Sequence, residues 1–182
     1  MGWTYTWIYF LIFVSAYAEQ NGIWRLSKAI KETENMLELD DNFNFPNVEL
    51  WTNYSKHEVP PHGPNAPLRV NFSINLSSIL AVDEPNQAVS LESTIRLYWF
   101  DERITIAKGT SNLRYDTKLD EHYLLFNRNP VKHLWFPDVF IAHAKELRVP
   151  VYQIPPLYLR IYENGRMMYS ARVNYDISCP MK

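Results

Sequence analysis

From Leu68 to Ser77 apolar and polar residues alternate one for one, with Leu68, Val70, Phe72, Ile74 and Leu76 on one face and Arg69, Asn71, Ser73, Asn75 and Ser77 on the other. Side chains of a strand alternate with period two, so this spacing predicts a strand with one buried and one wet face. The run from Ala88 to Ile104 keeps the same parity: Val89, Leu91, Ile95, Leu97 and Trp99 point in, and Glu92, Thr94, Arg96 and Tyr98 point out. A short strand follows at Leu157 to Tyr162, with Leu157, Leu159 and Ile161 on one face. A longer one runs from Arg166 to Ser178, with Met168, Ser170 and Arg172 opposed to Met167, Tyr169, Ala171 and Val173. Glu163-Asn164-Gly165 lies between them, and Asn-Gly is a strong hairpin signal. Ahead of the strands, Ile23, Leu26, Ile30 and Leu37 recur at helical spacing among charged residues, which predicts a short amphipathic helix from Asn21 to Glu38. Residues 45–67 hold five of the twelve prolines and read as a loop. One helix followed by short alternating strands with turn signals between them argues for an all-β sandwich.

The N-terminus sets the expected compartment. Trp7 to Val14 is an uncharged apolar run followed by Ala16-Tyr17-Ala18, the small-x-small pattern that signal peptidase accepts. It predicts a signal peptide over 1–18 and a single domain over 19–182, although no Lys or Arg precedes the run. From Trp3 to Ala18 the stretch is short for a bilayer span of about 20 residues, and no later segment reads as a membrane crossing. Three N-x-S sequons, at Asn53, Asn71 and Asn75, agree with passage through the secretory pathway, and Asn71 and Asn75 fall on the predicted wet face. A net charge of −2 with no basic block argues against nucleic acid as a partner. His57 and His62 have no third ligand at matching spacing, so neither a metal nor another cofactor is expected. No G-x-S-x-G occurs, Ser170 has no accompanying Asp/His pattern, and catalysis is not expected.

Trp99-Phe100-Asp101 and Trp135-Phe136-Pro137-Asp138 read first as structural: Trp buries a large area, Pro ends local pairing and Asp holds a turn. In the order W-x-D-x-R (Trp99, Asp101, Arg103), W-x-P-D and LRIYENGRMMYSARVNYDISC, however, these segments resemble the extracellular ligand-binding domain of Cys-loop receptors, the pentameric neurotransmitter-gated channels. The likeness covers the chain from about Ile23 onward and is nearest to the glycine-, GABA- and glutamate-gated chloride branch. It implies an immunoglobulin-like β-sandwich preceded by a short helix and incomplete at its C-terminus.

Residue roles follow from that resemblance. Arg96, in R-x-x-W, is implied to grip an agonist carboxylate from the complementary side of a subunit interface; alone, an outward Arg reads as a solvated charge. Two parallel charge-assisted bonds suit a planar guanidinium to that task. Ser170, in YSxR, is implied to donate its hydroxyl to the same carboxylate. Arg172 is a weaker member, equally able to pair with a neighbouring acid. Phe140, just after W-x-P-D and beside Ala142, is implied to face the agonist ammonium from the principal side; a core Phe is the alternative. Thr94 departs from the family pattern, in which an aromatic ring is common. Cys179, the lone cysteine, is implied to pair with a second cysteine beyond Lys182. The implied protein is a subunit of a pentameric, chloride-selective channel on the extracellular face of the plasma membrane. It binds a small amino-acid-like neurotransmitter, assembles with other subunits, and is held in the membrane by segments absent from these 182 residues. The alternative is a secreted or truncated binding module without a channel.

One outcome follows from the leader and the sequons together. Protein made in a secretory cell should lose apparent mass when N-linked sugar is removed enzymatically; an unshifted band would overturn either the leader or the strand parity.

Overall fold

The computed structural model describes residues 45–62, 67–127, 133–142, 144–150 and 157–178. The predicted leader, the predicted helix at Asn21 to Glu38 and Cys179 lie outside them. Among the described residues the regular structure is all strand: β1 (Val48–Leu50), β2 (Asn71–Asp83), β3 (Ala88–Phe100), β4 (Ile104–Ile106), β5 (Arg114–Asp116), β6 (Glu121–Phe126), β7 (Ala144–Arg148), β8 (Leu157–Tyr162) and β9 (Arg166–Ser178). The sandwich expected from the sequence is present as a curled antiparallel sheet in the order β2-β3-β9-β8-β6-β5, with β7 also on β9 and a separate β1-β4 pair. Strand β9 is the hub. Along one edge it pairs with β3 from Ala88↔Ser178 to Phe100↔Arg166. Its other edge is shared by β8, from Leu157↔Ala171 to Ile161↔Met167, and by β7, from Ala144↔Ile177 to Arg148↔Asn174.

Parity then decides what the sheet buries. Ile95, Leu97 and Trp99 of β3 lie beside Tyr169, Ala171 and Val173 of β9 on the inner face, all buried. Each large side chain removed from water contributes roughly 1.5–3 kcal/mol. Trp99 meets Trp135 and Phe136 edge-on, with ring centroids 6.3 and 5.6 Å apart, and Phe136 stands edge-on to Tyr169 at 4.8 Å. The W-x-P-D segment is thus a lid on the core, in line with its structural reading. Gly165 ends the β8–β9 turn at a φ of +82°, and a Cβ there would lie 3.1 Å from the Asp101 carbonyl oxygen. Both the backbone angle and the space call for glycine.

Two strand boundaries differ from the sequence reading. The strand expected from Leu68 to Ser77 begins at Asn71 and continues to Asp83. Beyond Phe72 its apolar members are not covered, with Ile74 48% and Leu76 54% exposed. Among the described residues the strand pairs only with β3, at the sheet's edge, and register shifts after Leu76 and Ile79 break the simple alternation. The strand expected from Ala88 to Ile104 stops at Phe100, because Asp101 turns the chain and Ile104 starts β4.

That turn is pinned by a buried ion pair. Arg103 Nε donates to Asp101 Oδ1 and Nη2 to Oδ2, both at 2.8 Å, and the Arg103 backbone N–H donates to Oδ1 at 3.1 Å. Nη1 donates to the carbonyls of Ser55 and Glu58, at 3.2 and 3.0 Å, so one guanidinium holds the proline-rich loop to the end of β3. The hydrogen bond to Asp101 is the main cause of a pKa raised above the ordinary arginine value. The guanidinium also lies over the Tyr54 ring, 4.8 Å from its centroid, and the Tyr54 hydroxyl accepts from the Trp135 N–H at 2.6 Å. Burial drives the Tyr54 phenol up to about 12, so it stays protonated at any physiological pH.

Removing one partner leaves the other charged and buried, which costs about 3–5 kcal/mol, a large part of a typical domain stability of about 5–15 kcal/mol. Asp101→Ala should therefore collapse the yield of folded protein, read as the protease-resistant soluble fraction, and the double variant Asp101→Leu with Arg103→Met should recover part of it. A double variant no better than the single one would show that the stranded charge is not what destabilises.

Candidate ligand-binding face

The outer face of the same sheet carries the even-numbered residues of β3 and β9. Opposite pairs run Asn71↔Tyr98↔Met168, Ser73↔Arg96↔Ser170 and Asn75↔Thr94↔Arg172, and β8 continues the second row with Tyr158↔Ser170 and the first with Arg160↔Met168. Directly opposed residues on an antiparallel pair project to one side with Cβ atoms about 4.5–5.5 Å apart. Arg96 and Ser170, which the sequence reading put on outward faces of two separate strands, are therefore adjacent. Arg172 lies one row away, exposed, with Nη1 4.0 Å from Glu92 Oε1. Its pairing with a neighbouring acid, the simpler of its two readings, is present in the structure.

This face is less wet than alternation predicts. Ser170 is only 2% exposed, Met168 is buried, and Tyr98 and Arg96 are half-buried. Met168 and Tyr98 belong to a second apolar layer, built from Tyr123, Tyr162 and Met168 with Tyr98, Leu125 and Tyr158 packed against it. Arg160 threads the layer, with its guanidinium 4.6 Å from the centroid of the Tyr123 ring and 5.6 Å from that of Tyr158. Its charge is met by Asp116, whose Oδ2 accepts from Arg160 Nη1 at 2.8 Å and from the Tyr162 hydroxyl at 3.0 Å. Burial works against the Asp116 carboxylate, but bonds from the Lys118 N–H and Tyr162 and the charge of Arg160 outweigh it and hold its pKa below the usual value.

Tyr158 ties the two candidate residues together. Ser170 lies directly across from it on β9 and Arg96 one strand further along the same row on β3, and hydrogen bonding from both side chains favours the ionised form of its hydroxyl. Burial opposes ionisation of the phenol, yet these bonds and the charges of Arg160 and Arg96 prevail, and its pKa falls below the ordinary tyrosine value. The arrangement is a pair of convergent donors, one cationic and one neutral, in a half-buried aromatic setting, already turned on an oxygen acceptor. Such a pair can hold a carboxylate. Sequence reasoning missed Tyr158, Arg160 and Tyr162. The available signal was three bulky or aromatic residues on the outward parity of β8, opposite Leu157, Leu159 and Ile161.

The other candidates lie elsewhere. Phe140 is 45% exposed, between Val139 and Ile141, which pack on the core, and it is not part of the Tyr98–Tyr158 layer. It is thus outward and not part of the core. Ala142 is exposed beside it. Asn53 sits exposed in a turn in which the Tyr54 N–H donates to the Trp51 carbonyl at 2.9 Å. Asn71 and Asn75 are exposed on β2. His62 Nδ1 lies 3.1 Å from the Pro60 carbonyl oxygen, and the His57 backbone N–H donates to Ser55 Oγ. Among the described residues no three His, Cys, Asp or Glu side chains gather as metal ligands.

Comparison with known proteins gives the chain a family. Residues 47–182 match the model of the neurotransmitter-gated ion-channel ligand binding domain. A glutamate-gated chloride channel of Drosophila melanogaster is 28% identical over 66% of this chain and 24% of its own length. The gamma-aminobutyric acid receptor subunit rho-3 of Rattus norvegicus is 24% identical over 98% of this chain and 37% of its own. A glutamate-gated chloride channel subunit beta of Haemonchus contortus is 28% identical over 74% and 30%. The chain thus spans about a quarter to just over a third of the relatives it matches. Their names are those of channels and receptors, not of enzymes. With the family model covering three-quarters of its length, the chain belongs to the neurotransmitter-gated ion-channel ligand-binding domain family.

Proposed function

We propose that this chain is the ligand-binding part of a chloride-selective channel subunit, displayed on the extracellular face of the plasma membrane. It binds a small amino-acid-like transmitter between neighbouring subunits of a pentamer. The observation that carries the reading is the cross-strand row Arg96↔Ser170↔Tyr158, which sets a guanidinium beside a hydroxyl on a half-buried face. Relatives named for glutamate and gamma-aminobutyric acid, both amino acids with a carboxylate, support the ligand class, and chloride in a relative's name supports the ion. Arg96 takes the carboxylate through its planar fork and Ser170 adds a neutral donor. In a half-buried site these bonds gain strength because little water competes. Phe140, exposed on a different segment, serves the ammonium of a ligand on the opposite side of the subunit, where cation–π attraction contributes about 0.5–2 kcal/mol. Thr94, in the row beside Arg96, provides no ring, so the aromatic contribution on the Arg96 side comes from Tyr98 and Tyr158.

In the full-length subunit, Arg96→Ala should remove a charged hydrogen-bond pair worth roughly 1.5–3 kcal/mol, about ten- to a hundredfold in agonist potency, with surface delivery intact. Arg96→Lys should restore only part, because it keeps charge and loses the fork. Concentration–response curves unchanged in both variants would return Arg96 to a solvated charge.

Tyr158 gives a prediction of opposite sign. Its hydroxyl interacts with Ser170 and with one part of the five-donor Arg96 fork, so a ligand carboxylate must share or displace those contacts. Tyr158→Phe frees both and should tighten binding of a carboxylate ligand about two- to tenfold, the worth of one ordinary hydrogen bond of about 0.5–1.5 kcal/mol. Weaker binding in a normally delivered Tyr158→Phe subunit would mean that the phenol helps the ligand and does not compete with it.

A further inference from the structure

The sequons at Asn71 and Asn75 lie within the Arg96 face. Asn71 opposes Tyr98, Asn75 opposes Thr94, and Ser73, the hydroxyl residue of the first sequon, opposes Arg96 itself. Directly opposed residues are about 5 Å apart and diagonal neighbours about 7–8 Å, so both asparagines flank the arginine at diagonal distance. Both are exposed, and among the described residues β2 is an edge strand paired only with β3. Nothing in either tripeptide, Asn71-Phe72-Ser73 or Asn75-Leu76-Ser77, breaks the sequon. An N-linked sugar is bulky and strongly hydrated; placed here it would stand between Arg96 and any neighbouring protein. It would also blunt an edge that displays Ile74 and Leu76 to solvent.

We propose that Asn71 and Asn75 form a double glycosylation site whose sugar closes the Arg96 face to a neighbouring subunit. The inference rests on the interface reading above. A closed ring requires every subunit to offer both of its faces, so a chain with one face capped ends a head-to-tail series and cannot take part in a ring. The sugar-bearing form then meets a partner only through the side that carries Phe140, and occupancy of the two sequons decides how much of the protein is available for closed assemblies.

The test uses the full-length protein made in a secretory cell. Trypsin releases the segment Val70–Arg96, which holds both sequons, and its mass reports their occupancy; native gels in mild detergent report assembly size. The expected result is an occupied segment in monomers and small oligomers and an unoccupied one in ring-sized assemblies, with Asn71→Gln/Asn75→Gln and Ser73→Ala/Ser77→Ala each enlarging the ring-sized fraction. Asn53→Gln should leave the distribution unchanged. A segment unoccupied throughout, an occupied segment recovered from closed assemblies, or variants with the parent's size distribution would each overturn the proposal. Should a variant misfold, enzymatic removal of sugar from the folded parent, followed by the same gel, decides between the same outcomes. Ring-sized variants that ignore carboxylate transmitters would sink the agonist reading while leaving this one standing.

Discussion

The register between β3 and β9 is the constraint on which the rest of the molecule depends. All thirteen residues of β3 have a partner in β9. Because side chains alternate, a slip of one residue would send Leu97 and Tyr169 to the outer face and bring Arg96 and Ser170 into the core. The two errors reinforce each other, one exposing large apolar area and the other burying an unpaired charge, so the register is strongly specified. Three local devices hold it. Asn164 and Gly165 fix the turn into β9, the Asp101 N–H donates to the Gly165 carbonyl at 3.0 Å, and the buried Ser93 hydroxyl meets the Tyr175 hydroxyl at 3.0 Å on the inner face. The placement of Arg96 beside Ser170 follows from core packing, with no separate cost for assembling the site.

Both faces of the central strands are covered, but by different chemistry. The inner cover is aliphatic and aromatic, and its one strongly charged element, Asp101 with Arg103, is closed on itself and on backbone carbonyls. The outer cover is tyrosine and arginine, materials that present an apolar body and a polar tip. Arg160 lies against Tyr123 and Tyr158 and is neutralised by Asp116, so the layer can pack without stranding charge. Arg96, one row away, shares its row with Ser170 and Tyr158. On the proposed reading, that asymmetry between two arginines on adjacent rows separates a structural cation from one whose charge is available to a ligand.

Much of this was legible in the chain. Period-two patterning located β3, β8 and β9, the Asn-Gly turn joined the last two, and the outward parity of Arg96, Ser170 and Arg172 was correct. What failed did so for tertiary reasons. Ile74 and Leu76 alternate as well as any core pair, yet alternation states only that one face differs from the other, and β2 lies at an edge where the apolar face stays open. The break after Phe100 was visible in the parity, since Asp101 and Arg103 fall on the inward positions and Ile104 on an outward one, but its cause was not; the turn comes from an Asp whose partner, Arg103, also grips a loop more than forty residues upstream. Tyr158 was invisible for a related reason. Its importance comes from lying across from Ser170, and a one-dimensional pattern gives each strand's parity without its neighbours. Cross-strand pairing supplies that missing dimension.

On the proposed reading, one chain carries two unlike halves of a site. Arg96, Ser170 and Tyr158 are on the outer face of the sheet, whereas Phe140 projects from the segment that lids the core. The carboxylate half is rigid, because its donors are rooted in the longest strand pair and covered by an aromatic layer. The half that carries Phe140 is an exposed ring on a segment with only a bridge of strand pairing. Pre-organised donors lose little freedom when they engage a ligand, so affinity for the carboxylate end is set largely within this chain. Discrimination between ligands that share a carboxylate and differ in the distance to the ammonium must then come from how a neighbouring subunit places its own ring against this face. A change of neighbour would alter selectivity more than it alters the strength of the carboxylate grip.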